Sequence, residues 1–125
     1  MEAQAAQANG QFGKCVAGAG DTDGDGFNDL IVGAPNQDDG GVEAALIYLG
    51  AADGIDPGSE ILLSASAGAF DDSYGYAVDA AGDVDGDGYG DVVVGAPAEA
   101  ETRGAAYVYL GSTDGPLDSS EIVLF

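Results

Sequence analysis

An all-β fold of two repeated, four-stranded antiparallel units is what this sequence predicts, and three observations predict it. The 125 residues include 22 Gly, a composition that favours turns over helix interiors. Apolar residues come in short β-branched runs, such as Leu30-Ile31-Val32 and Val92-Val93-Val94, with no helical period. The chain also repeats itself. FGKCVAGAGDTDGDGFNDLIVGAP (residues 12–35) aligns without gaps on YGYAVDAAGDVDGDGYGDVVVGAP (residues 74–97), with 14 of 24 positions identical at an offset of 62. The echo continues at an offset of 61, with Tyr48-Leu49-Gly50 matched by Tyr109-Leu110-Gly111, Asp53-Gly54 by Asp114-Gly115, and Glu60-Ile61 by Glu121-Ile122.

Taken in order, the first unit predicts strands at about 14–19, 29–32, 42–49 and 60–64, and the second at about 76–81, 91–94, 105–110 and 121–125. Continuous β-branched runs suit strands covered on both faces. Turn chemistry sets the boundaries. Gly33 and Gly95 are expected to take backbone angles closed to other residues, Pro35 and Pro97 cannot donate to a ladder, and Asp-Gly at 53–54 and 114–115 suits tight reversals. Relative to the first unit, the second lacks one residue between Gly-Ala-Pro and the next strand, which marks that stretch as a surface loop. Four antiparallel strands in about 60 residues, connected as a meander, describe a propeller blade. The division is therefore an N-terminal segment at 1–11, one blade at 12–64 and a second at 65–125.

Between the first two strands of each unit lies an acidic loop, Asp21-Thr22-Asp23-Gly24-Asp25-Gly26-Phe27-Asn28-Asp29 and Asp83-Val84-Asp85-Gly86-Asp87-Gly88-Tyr89-Gly90-Asp91. Carboxylates at positions 1, 3, 5 and 9 repel one another unless a cation sits among them. The donors are all hard oxygens, which suits calcium better than zinc, copper or the smaller shell of magnesium. The carbonyl at position 7, Phe27 or Tyr89, can add an oxygen, and Gly26 and Gly88 permit the sharp turn. An EF-hand needs an acidic residue at position 12 and flanking helices. Position 12 is Val32 in one loop and Val94 in the other, inside β-branched runs, so the EF-hand and dockerin readings fail. Acidic solvated turns are the remaining alternative, and an in-register repeat of the whole pattern argues against them.

These residues resemble a known family. Phe12-Gly13 and Tyr74-Gly75, followed by Gly33-Ala34-Pro35 and Gly95-Ala96-Pro97 with the acidic loop between, look like the FG-GAP repeat of integrin α-subunit propellers and bacterial extracellular proteins. The resemblance implies a four-stranded blade per repeat and one Ca²⁺ per loop, two per chain. The ligands it implies are Asp21, Asp23, Asp25, Asp29 and the Phe27 carbonyl, then Asp83, Asp85, Asp87, Asp91 and the Tyr89 carbonyl. It also implies an extracellular or cell-surface parent, although Met1 to Gln11 is polar and lacks the form of a signal peptide.

Family propellers usually have seven blades, and this chain has two. A bare apolar blade face is then expected at each end, and either the chain is a fragment or identical chains close head to tail, as a trimer with six blades or a tetramer with eight. Asp79 stands where the first unit has Ala17, and is expected to face the axis of such a ring. Tyr48, Tyr107, Tyr109, Phe27 and Tyr89 are expected between blades, a sugar-stacking platform being the alternative.

Composition limits the functions available. Two basic residues against 23 acidic ones, a formal charge of −21, leave nothing to grip nucleic acid or an anionic membrane. There is no His, and neither Cys15 nor any Ser has a recognisable base beside it in sequence, so no enzyme is read; eight acidic residues are already explained as ligands. Cys15 reads as a small apolar residue in a strand. Two bound Ca²⁺ would move the charge only to −17, and the remaining acidic surface suits a high-salt setting. The sequence therefore reads as a calcium-binding adhesion-type scaffold with a protein or glycan ligand, and a carbohydrate-binding lectin is the alternative.

Overall fold

The computed structural model describes residues 12–35, 44–64, 74–97 and 104–124. Segment 1–11, the stretch after Gly-Ala-Pro where the two units differ in length, and the acidic residues at 38–39, 71–72, 99 and 101 lie outside the described residues.

Two four-stranded antiparallel sheets make up the structure. The first runs β1 (Cys15–Gly20), β2 (Asp29–Ala34), β3 (Ala44–Tyr48) and β6 (Ile61–Leu63). A two-residue hairpin, β4 (Gly50–Ala51) with β5 (Gly54–Ile55), interrupts it after β3. The second sheet runs β7 (Ala77–Gly82), β8 (Asp91–Ala96), β9 (Ala105–Tyr109) and β10 (Ile122–Leu124). Both are meanders, as the repeat predicts. In each, a 3-10 turn leads into the outer strand, at Pro57–Ser59 and Asp118–Ser120. The hydroxyls of Ser59 and Ser120 accept the Leu49 and Leu110 N–H groups at 2.7 and 2.9 Å, satisfying donors just past the ends of β3 and β9.

One expectation is corrected. Gly33 and Gly95 are not turn residues: they continue β2 and β8, paired with Cys15 and Ala45 and with Ala77 and Ala106, and their φ is not positive. Gly33 is required for space. A Cβ there would collide with the carbonyl of Gly75. Gly75 itself, at φ 92°, would collide with Ala44 O at 2.5 Å if it carried a Cβ. Within each unit the Gly of the aromatic-Gly pair donates to the Gly of Gly-Ala-Pro, Gly13 to Gly33 at 3.0 Å and Gly75 to Gly95 at 3.1 Å. The two halves of the motif are thus tied within a blade, and Gly33 also admits the next blade.

Between the sheets lies the main core. Ile31, Ala45, Ile47 and Leu63 from the first meet Val78, Val92, Val94, Tyr107 and Tyr109 from the second, all buried. Tyr109 Oη lies 2.6 Å from Tyr74 Oη and donates to Glu121 Oε2 at 2.8 Å. The equivalent Tyr48 donates to Glu60 Oε2 at 2.6 Å, and burial followed by that carboxylate pushes its phenol well above the ordinary range. Cys15 is half-buried at the β1–β7 junction, where its Sγ accepts the Val78 N–H at 3.4 Å.

The two ends differ, which corrects the expectation of a bare face at each. On blade 1, Val32, Ala44, Leu46 and Tyr48, on the face turned away from blade 2, are buried. On blade 2, the far face stays open, with Ile122 45 % and Leu124 53 % exposed and Val93 and Val108 half-buried. Asp79 lies on this open face, its Oδ1 accepting the Ala80 N–H at 2.8 Å. Its counterpart Ala17 packs against the inter-blade core, so the position belongs to a blade face. Tyr107 and Tyr109 do pack between blades, Tyr48 is buried on the opposite face, and Phe27 is exposed.

Candidate metal centres

Each acidic loop joins two strands of a hairpin, β1 to β2 and β7 to β8, with no helix on either side. A register shift at Gly18/Gly20, and again at Ala80/Gly82, bulges the strand just before the loop. Gly20 and Gly82 absorb it with φ of 73° and 76°. Gly26 and Gly88, at φ 92° and 94°, turn the loop back on itself as expected.

Asp21 organises the first loop. Its Oδ1 accepts the Gly24 and Asp25 N–H groups at 2.8 and 3.1 Å, and Oδ2 accepts that of Gly26 at 2.9 Å. Partial burial raises the Asp21 carboxyl, but these N–H groups together outweigh it and hold the group below the usual range. Asp83 repeats the arrangement with Gly88 at 2.8 Å and Asp87 at 3.0 Å, the Gly88 bond being the main cause of its lowered value.

Asp29 and Asp91 close the loops and are buried. The Oδ1 of each accepts an N–H from beyond the third strand, Gly50 at 2.9 Å and Gly111 at 2.8 Å. The Oδ2 of Asp29 accepts Thr22 N–H at 2.7 Å and the Thr22 hydroxyl, while that of Asp91 accepts Val84 N–H at 2.8 Å. Gly50 and Gly111 were not singled out as site residues. The Tyr-Leu-Gly repeat carried the signal, and its reason is space: Asn28 O and Gly90 O stand where a Cβ would go.

The structure brings carboxylate oxygens of Asp21, Asp23 and Asp29 within 4.8 Å of one another, and does the same for Asp83, Asp85 and Asp91. Asp25 and Asp87 are outside those trios; Oδ1 of each accepts the N–H of the position-7 residue, Phe27 at 2.9 Å and Tyr89 at 3.0 Å. Three acidic groups this close repel. Asp23 is pushed up to about 6, chiefly by loss of water and then by Asp25 and Asp29, and Asp85 is raised by burial and by Asp87. Lys14, the cation among the described residues, lies instead over the Tyr76 ring, 5.3 Å from its centroid. A convergent, all-oxygen donor set with no side-chain cation beside it among the described residues fits a hard divalent ion.

Comparison with known proteins agrees with this architecture. The FG-GAP repeat family model matches residues 16–49 and 74–109. The chain is 35% identical over 116 residues, 92% of its length, to integrin alpha-4 of Xenopus laevis. It is 39% identical over 69% of its length to integrin alpha-V and 40% identical over 76% to integrin alpha-6, both of Gallus gallus. It spans 11%, 8% and 9% of those relatives, respectively. With two matched repeats, each folded as a four-stranded antiparallel blade around an acidic hairpin loop, the chain belongs to the FG-GAP repeat family of β-propeller blades.

Proposed function

We propose that this chain is a calcium-stabilised, non-catalytic propeller module that serves as an adhesion-type scaffold in an extracellular or cell-surface protein. One Ca²⁺ in each loop would be held by Asp21, Asp23, Asp25, Asp29 and the Phe27 carbonyl, and by Asp83, Asp85, Asp87, Asp91 and the Tyr89 carbonyl. The observation that carries this reading is the twofold convergence of three carboxylates within 4.8 Å. A bound ion offsets their repulsion and cross-links the hairpin, and its binding free energy adds to folding.

A scaffold also needs a neighbour for the open face of blade 2. Val93, Val108, Ile122 and Leu124 correspond to Ile31, Ile47, Ile61 and Leu63, which blade 2 covers on blade 1. We place a blade of a second copy there, as in a ring of three or four chains. Ring closure would bring blade 2 of the preceding copy to the side of blade 1 where Val32, Leu46 and Tyr48 are already buried in the single chain. Light scattering with saturating Ca²⁺ and with excess chelator tests both parts. The expected masses are three or four chains with calcium and fewer without; a monomer in both, with an unchanged melting temperature, overturns the reading.

A further inference from the structure

The two loops touch, and the contact is built from residues that belong to the sites themselves. On the basis of the cation reading above, we propose that the loops form one cooperative pair, linked across the blade boundary by Tyr89 and Thr22.

Tyr89 occupies position 7 of the second loop, and its carbonyl is one of the ligands proposed above. Its ring reaches the first loop and lies over Gly24: a Cβ at Gly24 would stand 2.6 Å from Tyr89 Cε1 and 3.1 Å from Cδ1. The next N–H, of Gly90, donates to the Asp21 carbonyl at 2.8 Å. Position 8 of one loop therefore grips position 1 of the other.

A second connection runs through buried groups. Asp91 accepts the Gly111 N–H at 2.8 Å, and the adjoining Ser112 N–H donates to the Thr22 carbonyl at 3.1 Å. The Thr22 N–H and hydroxyl in turn donate to Asp29 Oδ2. Asp91, Thr22 and Asp29 are buried and Ser112 is half-buried, so water competes little at the two carboxylates. An unbroken route thus joins the closing carboxylate of one site to that of the other. Fixing the second loop around an ion fixes Tyr89, Gly90 and Gly111, and with them Asp21, Thr22 and Asp29. The first loop then loses less conformational freedom when it binds, and linkage makes the effect reciprocal.

The loop residues that face away from the blade boundary show what an unlinked edge looks like. Phe27, the counterpart of Tyr89, is 42 % exposed, and Val84, the counterpart of buried Thr22, is 57 % exposed. The linkage is a property of the blade–blade boundary and not of each loop alone.

Calorimetric titration of the whole chain with Ca²⁺ tests the proposal, using wild type, Asp85→Asn and Tyr89→Ala, each verified as folded by circular dichroism. Wild type is expected to bind two ions with positive cooperativity. Disabling the second loop with Asp85→Asn should weaken the first by about 5-fold or more, the lower end of ordinary coupling between sites. Tyr89→Ala removes the ring that crosses to Gly24 and should reduce the cooperativity between the two loops. Two ions bound independently, with the first loop unchanged in Asp85→Asn, overturn the linkage and leave the cation reading standing. No binding at either loop overturns both.

Discussion

The carbonyl of Gly75 fills the space that a side chain at Gly33 would need. The first glycine of blade 2's motif thereby sits on the last glycine of blade 1's, and the pair sets how closely the two sheets approach. Gly33→Ala must displace backbone, so a loss of about 1–3 kcal/mol is expected, the usual cost of overpacking. Gly95→Ala is its control, because the nearest atoms to a Cβ there stand at 3.6 Å. It should shift chain stability by no more than about 0.5 kcal/mol. If blade 2 receives a further blade by the same contact, Gly95→Ala instead blocks assembly. Urea unfolding and light scattering on both variants separate these effects, and equal destabilisation by the two would contradict the packing account.

Asp29 and Asp25 differ in what they hold. Asp29 satisfies three donors at a buried position, Thr22 N–H, Thr22 hydroxyl and Gly50 N–H. Asp29→Asn turns an amide NH₂ toward donors and should cost about 1–3 kcal/mol even in chelator. Asp25 is exposed and caps one N–H, so Asp25→Asn should matter only with calcium present. Paired melts with and without calcium decide this, and a purely calcium-dependent Asp29→Asn would contradict the structural role.

Asp23 gives the metal-free protein an unusual pH response. Its carboxyl rises from 3.8 to about 6 on folding, so between those values the native state holds more proton than the unfolded chain. Stability from this group is present below about pH 4 and is lost as pH rises toward 6. Asp21 and Asp83, held low, act oppositely and lose their contribution only under more acid conditions. In chelator the melting temperature should therefore decline from about pH 4 to pH 6, with a shallower decline in Asp23→Asn. A melting temperature that climbs across that interval contradicts the crowding of carboxylates. With calcium the slope should reverse, because the ion competes with the proton.

Much of this was legible in the sequence because it is local and repeated. The centres of β2, β3, β8 and β9 follow from β-branched runs, and the loops from aspartates on alternate positions. What escaped is non-local. Gly33 and Gly95 look like strand breakers, yet they lie within strands, and Gly33 is explained only by Gly75, far away in the chain. The β4–β5 hairpin is only two residues per strand, too short for any alternation to show. The placement of Tyr89 over Gly24 depends on how two units meet. Composition within either unit carries no trace of it.

Thermal unfolding in saturating Ca²⁺ and in excess chelator, at one ionic strength with Mg²⁺ as the control ion, tests the central claim most directly. Each site should add about 4 kcal/mol at a thousandfold excess over its dissociation constant. The account predicts a large rise in melting temperature with calcium, a smaller one with magnesium, and loss of most of the rise when Asp23 and Asp85 are both changed to Asn. Identical melts in calcium, magnesium and chelator would contradict it.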